Sequence, residues 1–398
     1  MTIVNLLPVA DGGGLQNALS FLETLASARG ELDVQVVARA GGAIEAQLEA
    51  LSMTVHLVSG GRIGRLKFEM SVRKRFPKGS VCFTLFGPPM LGSIGHFVNV
   101  NGCAYSNLFY PEVCFWQDYS GRARWKREFI DRARRKFTAL ADFWIFETEV
   151  LSGRAIELCH FPKERVKTVK MAASALVSKE LVDTDLAEKY SQRLSSRFKV
   201  LFLSGANRNK RVQNLPQIAC ELQDRGESGV QFVTTLPVES DLFAELSHHF
   251  KDSKLASYWV NIGPVPQSEA SSLISVCDAM ATFSRLESFS NNFVEAWRMG
   301  KALIVTDADW SRAACGKGAY YVDPDDAVSV VDTLTELTSS EESLNAMRFA
   351  GQQMLDTYPS VKQKNELYIQ CIKDAEVLGP CSSSLKRLIK WPSVKKNP

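Results

Sequence analysis

The sequence lacks several features of membrane-spanning and disulfide-bonded proteins. It contains no run of about 18 apolar residues, which excludes an ordinary transmembrane helix. Its nine cysteines include no C-x-x-C pair, and their odd number suits reduced thiols better than a disulfide framework or a zinc site. The first residues lack the basic start and long apolar stretch of a signal peptide. These absences predict a cytoplasmic protein.

The length and charge of the chain narrow the expectation further. At 398 residues the chain exceeds what one hydrophobic core usually serves, so two domains are expected. Residues 1–180 carry 23 Lys and Arg against 17 Asp and Glu, whereas the rest carries 24 against 27. The net charge of +3 therefore divides into +6 for the first half and −3 for the second.

Short β-branched runs alternate with helical patterns along most of the chain, which is typical of βαβ units in a parallel sheet. Two such series predict an α/β protein with two Rossmann-like domains that face a cleft. The first series comprises residues 2–7, 33–38, 54–58, 81–86, 97–101 and 143–148, and the second comprises 199–205, 230–235, 258–263, 279–283 and 302–307.

The segment between the two series, residues 174–198, is polar and has no strand pattern, so we expect a linker there. The amphipathic segment 361–377 is expected to pack back across the first domain. We therefore predict an N-terminal domain over 1–180, a C-terminal domain over 181–360, and a helix with a basic tail over 361–398.

The stretch SRLESFSNNFVEAW, residues 284–297, places two acids around the start of a predicted helix. Ligands of open α/β sheets bind beyond the carboxyl ends of strands, and the N–H groups of a helix N-terminus suit a phosphate or diphosphate. Glu295 is then placed for the hydroxyls of a ribose, and Glu287 for the group beyond the phosphates. As an isolated pair, these acids are more commonly a solvated loop residue and a residue favoured by the helix dipole.

A basic loop follows the first strand of the second series. It reads SGANRNKR and places Arg208, Lys210 and Arg211 just before a helical pattern. Fixed cations there would neutralise a leaving diphosphate, although a basic loop alone is more often simply solvated. Farther on, YWVNIGPVPQSEASSL supplies a strand, a turn at Gly263 and a helix, which together offer a slot for a base.

The order S-G…R-x-K, VNIGPV, E-x7-E followed by EAW, GKALIVTD and YYVDPDD resembles the second domain of family 4 retaining glycosyltransferases, which have the GT-B fold. The resemblance covers residues 199–330 well. It extends more loosely to the first domain through LLPVADGGGLQNALSFLETLA and ADFWIFETEVLSGRA. It implies sugar transfer from a nucleotide-diphosphate sugar with retention of configuration, without a cofactor, a metal or a protein nucleophile.

The resemblance also implies roles for residues at matching positions. Glu287 matches the acid near the donor sugar, Glu295 matches the acid on the ribose hydroxyls, and Lys210 matches the lysine on the diphosphate, with Arg208 as its partner. The other expected donor-binding residues are Phe289, Ser290, Asn291, Asn292, Gly205, Gly263, Gly13 and Gly14, and the expected acceptor-side residues are Gly12 and Asn101.

The chain departs from the family pattern in two places. Many members have a Gly-Phe-Gly-Leu-Pro run after the first acid, whereas this chain has Ser-Phe-Ser-Asn-Asn over 288–292, so its backbone is less permissive. The family's donor-sugar preference therefore does not carry over. A histidine often found in a first-domain loop also has no clear counterpart, since Asn101 stands at about that place and His96 comes earlier.

An alternative reading places a metal at Asp307 and Asp309, which resemble the D-x-D motif of metal-dependent GT-A transferases. That fold has one nucleotide domain near its N-terminus, whereas here the pair follows the E-x7-E segment. We therefore expect no metal site, and we expect Asp307 or Arg312 in a loop near the cleft.

Three basic segments, residues 61–79, 121–137 and 385–398, include aromatic side chains among their cations. Such segments suit anionic lipid headgroups, and no nucleic-acid-binding motif accompanies them. A solvated charged helix is the alternative for each. Together they predict a peripheral enzyme at the inner face of the cell membrane that binds no nucleic acid.

The function expected from these patterns is transfer of a hexose to a hydroxyl of a lipid-linked glycan, as in the synthesis of lipopolysaccharide or another envelope polysaccharide. Two alternatives stay open: a nucleotide-sugar epimerase of the same fold, and a non-catalytic nucleotide-sugar-binding subunit. The absence of an obvious cleft histidine disfavours the first, and the intact acids and Lys210 disfavour the second. A dehydrogenase fits poorly, because ADGGGLQNA is not a G-x-G-x-x-G fingerprint.

Overall fold

The structure is a computed structural model that describes residues 1–9, 12–28, 32–195, 197–251, 254–382, 386, 389 and 391. Contacts divide the chain into two units, one formed by Met1–Met171 with Pro359–Pro398 and the other by Ala172–Tyr358. No helix in the described part of the chain is both long and apolar enough to cross a bilayer.

Each unit is built on one parallel sheet. The strands are β1 (Thr2–Asn5), β2 (Val34–Arg39), β3 (Val55–Val58), β4 (Val81–Thr84), β5 (Val98–Gly102), β6 (Phe143–Phe146), β7 (Val166–Thr168), β8 (Phe198–Phe202), β9 (Val230–Thr234), β10 (Trp259–Asn261), β11 (Ala279–Thr282), β12 (Ala302–Thr306) and β13 (Tyr320–Val322). Within the described residues, the orders are β3-β2-β1-β4-β5-β6-β7 and β10-β9-β8-β11-β12-β13. Both sheets thus reverse their strand order once, between β1 and β4 and between β8 and β11.

Helices connect the strands and cover the sheets. They are α1 (Gly12–Ser27), α2 (Ala43–Ala50), α3 (Gly61–Arg75), α4 (Gly121–Thr138), α5 (Glu149–Cys159), α6 (Thr184–Arg193), α7 (Leu215–Asp224), α8 (Asp241–His249), α9 (Ala270–Ser275), α10 (Asn291–Arg298), α11 (Asp309–Cys315), α12 (Ala327–Ser339), α13 (Glu341–Leu355) and α14 (Val361–Leu378). In the first unit, Ile3 and Val4 of β1 belong to separate cores on the two faces of the sheet. These two sheets confirm the predicted α/β class with two Rossmann-like domains.

Helix α14 belongs to the first unit, as predicted. Its start is fixed by a capping box, in which the Ser360 hydroxyl accepts from the Gln363 N–H at 3.2 Å and the Gln363 side chain accepts from the Ser360 N–H at 2.8 Å. Farther along, the Tyr368 ring packs edge-on against Phe21 of α1 at 5.8 Å and lies 5.6 Å from Phe83 of β4. Burial of these aromatic rings holds the helix on the sheet.

The expected linker over 174–198 is wrong in part, because its described residues pack on the second unit. The backbone N–H of Ser178 donates to the Ser271 hydroxyl at 3.1 Å, and α6 packs against α9. Ser196 lies outside the described residues. The sequence of this segment is polar because α6 buries only Tyr190 and most of the helix faces solvent.

Strands β7 and β13 were not predicted from the sequence. Each lies at the edge of its sheet and has only three residues, too few for the alternating pattern of a strand to be visible in the sequence.

The packing of α10 in the second unit positions the candidate site. Trp297 of α10 is fully buried, and its Nε1–H donates to the Gly318 carbonyl at 2.8 Å. Helix α13 approaches this ring at Gly351, where an added Cβ would lie 2.5 Å from the indole Cδ1. Only glycine fits there without displacement, and the close contact fixes α10 against α13.

Candidate functional site

Two loops meet at the point where the second sheet reverses its order. Strands β8 and β11 pair in parallel, with Val200 opposite Ala279, so the loops that follow them leave the same edge of the sheet. The loop after β8 carries Lys210, and the loop after β11 carries Glu287. Such a reversal is where open α/β sheets bind their ligands.

Hydrogen bonds join the two loops. The Arg285 N–H donates to the Asn209 carbonyl at 2.9 Å, and the Asn209 side-chain amide donates to the Leu286 carbonyl at 2.9 Å. Lys210 Nζ then donates to the Glu287 carboxylate in an ion pair, and the Ser284 hydroxyl donates to the same carboxylate oxygen at 2.5 Å. The loops therefore hold a cation and an anion together at the edge of the sheet.

This ion pair is shielded but still accessible. The Lys210 side chain is 23% exposed and the Glu287 side chain is 14% exposed. Partial burial strengthens the attraction between the charges, and the remaining exposure lets a ligand reach both groups. The prediction that Lys210 and Glu287 share one site is thus consistent with their positions.

Glu295 is the most deeply buried acid of the candidate site. It lies on α10 and is 3% exposed, and its carboxylate accepts a hydrogen bond from the Gln267 side-chain amide at 3.4 Å. Burial raises its pKa from the usual 4.5 to about 7, and the Gln267 hydrogen bond lowers it only in part. Further hydrogen-bond donors from a ligand would stabilise the ionised form of this carboxyl group.

Asn292 ties the start of α10 to the end of β8. Ser290 is the N-cap, and its side chain makes no capping hydrogen bond. Asn291 is the first helical residue and is half-buried. The Asn292 amide donates to the Leu203 carbonyl at 3.0 Å, so this side chain supports the helix rather than pointing to a ligand.

The expectation that Phe289 binds the donor is not supported by its packing. Its ring lies 5.5 Å from Phe293 and 5.7 Å from Tyr358, and the residue is buried. Phe289 and Phe293 lie four positions apart, and the Phe289 ring packs with Phe293 into the core beneath α10 instead of facing a ligand.

The cations beside Lys210 point to other partners. Arg208 pairs with Glu245 of α8 at 2.5 Å, and Arg211 pairs with Asp325 at 2.9 Å. Neither guanidinium reaches Glu287 through a hydrogen bond among the described residues. The expected grouping of Arg208 with Lys210 is therefore not present in this structure, because the Glu245 carboxylate holds Arg208.

Two glycines of the second unit lie in loops at the carboxyl ends of strands. Gly205 is exposed after β8, and its carbonyl accepts from the Asn207 N–H at 2.8 Å. Gly263 follows β10 with a φ of +89°, which a residue with a side chain rarely adopts.

The first unit contains the remaining predicted residues. Gly12, Gly13 and Gly14 form the first turn of α1 instead of the expected loop, and Gly12, where the helix begins, adopts a left-handed φ of +59°. Ala10 and Asp11 lie outside the described residues. Asn101 is fully buried on β5, where its amide donates to the Gly87 carbonyl at 2.6 Å. It supports the loop after β4, and this burial does not support the prediction that Asn101 lines the acceptor side of the site.

The Asp307 carboxylate is already paired. It accepts hydrogen bonds from Arg312 at 2.5 and 2.8 Å, and these bonds lower the pKa of Asp307 below its usual value. Asp309 begins α11 two residues later. Among the described residues, no group of three or more His, Cys, Asp or Glu side chains is arranged to hold a metal ion.

Two of the three basic segments form helices with exposed apolar side chains. On α4, Trp125 and Phe129 are 62% and 55% exposed, and their rings stack at 5.6 Å. The exposed cations Arg122 and Lys126 share this face, since they lie three or four positions from an aromatic residue. On α3, the corresponding exposed residues are Ile63, Leu66, Lys67, Met70 and Lys74.

The third basic segment, residues 385–398, is described only at Lys386, Ile389 and Trp391, and its other residues lie outside the described part of the chain. Lys386 pairs with Asp142 at 2.7 Å. The Trp391 ring lies 5.4 Å from Phe109. These contacts place both side chains against the protein, contrary to the expected membrane surface.

Comparison with known proteins finds one family match within the second unit. Residues 197–340 match the family described as "Glycosyl transferases group 1". The matched residues include both loops, α10 and the Lys210–Glu287 pair. No curated protein matches the sequence significantly.

Solved structures share the fold of the whole chain. HepE of Anabaena, solved with UDP and glucose, is 14% identical with a TM-score of 0.67, and the match covers 94% of this chain and 99% of HepE. Sucrose-phosphate synthase of Thermosynechococcus elongatus is 13% identical with a TM-score of 0.68, over 95% and 99% of the two chains. WaaG, a glycosyltransferase involved in lipopolysaccharide biosynthesis, is 14% identical with a TM-score of 0.66, over 94% and 99%. These likenesses establish the GT-B fold.

Three residues of the second unit that contact predicted site residues were missed by the sequence analysis. Ser284 orients Glu287, Gln267 contacts Glu295, and Glu245 binds Arg208. Ser284 is the second residue after β11, so its position at the carboxyl end of a strand was a usable signal. Gln267 and Glu245 lie on separate elements, and nothing in the sequence pairs them with their partners.

Proposed function

We propose that the protein is a retaining glycosyltransferase of the family 4 type that moves a hexose from a nucleotide-diphosphate sugar to a hydroxyl of a glycan acceptor. The observation that carries the proposal is the Lys210–Glu287 ion pair at the strand-order reversal of a group 1 glycosyltransferase domain. The HepE structure contains UDP and glucose, which supports a nucleotide sugar as donor.

The donor nucleotide is proposed to lie along the start of α10. The N-terminus of this helix attracts the diphosphate through its N–H groups and its positive dipole end. Glu295 then accepts hydrogen bonds from the ribose hydroxyls. Its burial and its one weak hydrogen bond among the described residues support this role, because two hydroxyl donors would stabilise the buried carboxylate.

The chemical step is proposed to depend on charge compensation. As the bond between the sugar and the diphosphate breaks, negative charge grows on the phosphate oxygens, and Lys210 stabilises it. Glu287, which holds Lys210 in the free protein, is then available to the sugar hydroxyls. Arg208 becomes a second diphosphate ligand if the donor displaces Glu245. The acceptor hydroxyl enters on the face from which the diphosphate departs. Its oxygen bonds to the sugar carbon as the bond to the diphosphate breaks, and its proton passes to the departing diphosphate. No cofactor or metal takes part.

The acceptor is proposed to be lipid-linked and part of an envelope polysaccharide, and the enzyme to act at the cytoplasmic face of the cell membrane. The exposed apolar and basic faces of α3 and α4 support contact with anionic lipid. The involvement of WaaG in lipopolysaccharide biosynthesis supports the acceptor class. The first turn of α1, with Gly12 to Gly14, is proposed to contact substrate through its backbone, since an added Cβ at Gly12 would meet no atom within 4 Å.

A donor screen tests the proposal. Purified protein is incubated with UDP-, GDP- and dTDP-sugars in the presence of EDTA, and released nucleoside diphosphate is measured. We expect release from one donor class, with the α-configuration of an α-linked donor retained in the product. Release that EDTA abolishes would contradict metal independence. Interconversion of the sugar without release would indicate an epimerase, and binding without turnover would indicate a binding subunit.

A further inference from the structure

A pocket in the first unit has, among its described lining residues, none of the donor-side or acceptor-side residues assigned above. It has a volume of about 550 Å³, and among the described residues that line it are Arg39, Arg62 and Arg65 but no acid. The pocket opens where β2 and β3 end side by side, because Arg39 and Val58 are register partners in the sheet. Three guanidinium groups, of which Arg65 pairs with Glu69, give the pocket a net positive charge at the sheet edge where α/β proteins bind ligands.

The N-terminus of α3 forms one wall of this pocket and carries an unusual charge. The run Ser59-Gly60-Gly61-Arg62 leads into a helix of 15 residues that has no acid in its first turn. The positive end of the helix dipole disfavours a cation there, yet Arg62 occupies the first turn and Arg65 follows one turn later. An anion bound between them would relieve this repulsion.

The backbone of the run favours close approach by a ligand. Gly60 and Gly61 adopt φ values of +83° and +59°, which a side chain would strain. No side chain caps the helix, so its first N–H groups are not taken by a capping oxygen. Successive N–H groups in such a glycine-rich turn form a concave site for phosphate oxygens.

Arg39 and Arg65 are held in place, and within the described residues Arg65 is the one of the three arginines that forms an ion pair with an acid. Arg39 Nε donates to the Leu7 carbonyl at 2.8 Å, which leaves the terminal nitrogens of this guanidinium for a ligand. Arg65 Nε donates to Glu69 at 2.7 Å, and Glu69 also accepts from the Leu91 N–H at 2.9 Å. Arg62 has no hydrogen-bond or ion-pair partner within the described residues.

We propose that this pocket binds a phosphoryl group through Arg39, Arg62, Arg65 and the N-terminus of α3. The planar arginine forks match the geometry of phosphate oxygens. The ligand is either a soluble phosphate compound or the phosphorylated headgroup of a lipid, and the exposed Ile63 and Leu66 beside Arg62 would accompany the apolar part of the latter. The assignment of this ligand as the acceptor rests on the proposed function, whereas phosphoryl binding itself does not.

Titration calorimetry with inorganic pyrophosphate tests the soluble source. Lys210→Met is the parent protein, because it weakens the diphosphate site of the second unit. We expect Arg62→Gln to reduce pyrophosphate affinity about tenfold and Arg62→Glu to reduce it further. Lys163→Gln and Lys163→Glu, at an exposed lysine of the first unit outside the pocket, are matched controls that leave the affinity unchanged. Equal losses in the Arg62 and Lys163 variants, or no loss in either, would overturn the proposal unless the lipid source gives a loss specific to Arg62.

Sedimentation with vesicles tests the lipid source. Phosphatidylcholine vesicles that contain phosphatidic acid are compared with vesicles that contain oleic acid at the same surface charge. A loss specific to Arg62 and to phosphatidic acid identifies a lipid headgroup, and a loss confined to pyrophosphate identifies a soluble phosphate compound. Equal behaviour on both vesicle types together with unchanged pyrophosphate binding would overturn phosphoryl recognition.

UDP, GDP and dTDP binding to Arg62→Gln in the otherwise wild-type chain separates this proposal from the proposed function. Retained nucleotide binding with lost pyrophosphate binding supports both. Lost pyrophosphate binding in a protein that never binds a nucleotide supports the pocket and contradicts the transferase. Unchanged pyrophosphate binding and unchanged phosphatidic acid binding contradict the pocket even when nucleotide binding is normal.

Discussion

Lys210 and Glu287 form an ion pair although 77 positions separate them in the sequence. They meet because β8 and β11 are neighbours at the reversal of the second sheet, and because Asn209 ties the two loops together. The pair keeps a lysine partly buried and charged at the place where a diphosphate is expected. In the proposed function, a ligand with two phosphates would replace the Glu287 carboxylate as the partner of this lysine.

Glu295→Gln should change how stability depends on pH. The folded protein holds the proton of Glu295 up to about pH 7, whereas the unfolded chain releases it near 4.5. The contribution of this group is therefore fully present below pH 4.5 and is lost as pH rises through 7, by about 3 kcal/mol. Thermal unfolding midpoints at pH 5 and pH 8 should differ less in Glu295→Gln than in the wild type.

Glu239 is an exposed acid of the same unit and gives the control for this experiment. Glu239→Gln should leave the difference between the two pH values unchanged. If Glu295→Gln also leaves that difference unchanged, the raised pKa assigned to Glu295 is wrong.

Glu245→Gln and Arg208→Gln should affect donor binding in opposite directions. Removal of the Glu245 charge frees Arg208 for the diphosphate, so nucleotide-sugar affinity should rise. Removal of Arg208 takes away a proposed diphosphate ligand, so affinity should fall several-fold. Calorimetry with the donor found in the screen measures both. Equal loss in the two variants would show that the pair acts only as a structural contact between the β8 loop and α8.

Replacement of Trp125 and Phe129 by serine should weaken sedimentation with anionic vesicles. The two rings expose a large apolar area beside cations on α4, and their loss removes the part that enters the lipid interface. Raised salt should weaken binding of both proteins, because the remaining attraction is between charges. Phe349→Ser is the control, since Phe349 is 65% exposed on α13, which belongs to the second unit and is not a basic helix. Unchanged sedimentation in the double variant would exclude α4 as the membrane surface.

Gly351→Ala should destabilise the second unit by about 1–2 kcal/mol. Overpacking against the fully buried Trp297 costs about 1–3 kcal/mol, which exceeds the gain of about 1 kcal/mol from a better helix former. Gly153→Ala on α5 is the matched control, because an added Cβ there meets no atom within 4 Å and should stabilise the protein. Urea unfolding measures both, and a stabilised Gly351→Ala would show that the α10–α13 contact yields easily.

The sequence predicted the sheets better than the contacts made by individual side chains. Alternating strand and helix patterns carry the local information that fixes a parallel sheet, and the positions of Lys210 and Glu287 after two strands placed them at one edge. The partner of Arg208 was not predictable, because Glu245 lies on another helix 37 positions away. Asn101 and Phe289 were assigned by matching positions in a family pattern, which does not show whether a side chain turns toward a ligand or into the core.

The most direct test of the central claim is equilibrium binding of UDP, GDP and dTDP to the wild type, Lys210→Met and the control Lys189→Met, an exposed lysine of α6. The account predicts that one nucleotide binds the wild type and the control equally, and binds Lys210→Met at least about tenfold more weakly. Glu287→Gln should bind that nucleotide normally but lose about 100-fold in donor turnover. Equal binding to the wild type and Lys210→Met, or no binding to any of these proteins, would contradict a nucleotide-diphosphate site at the Lys210–Glu287 pair.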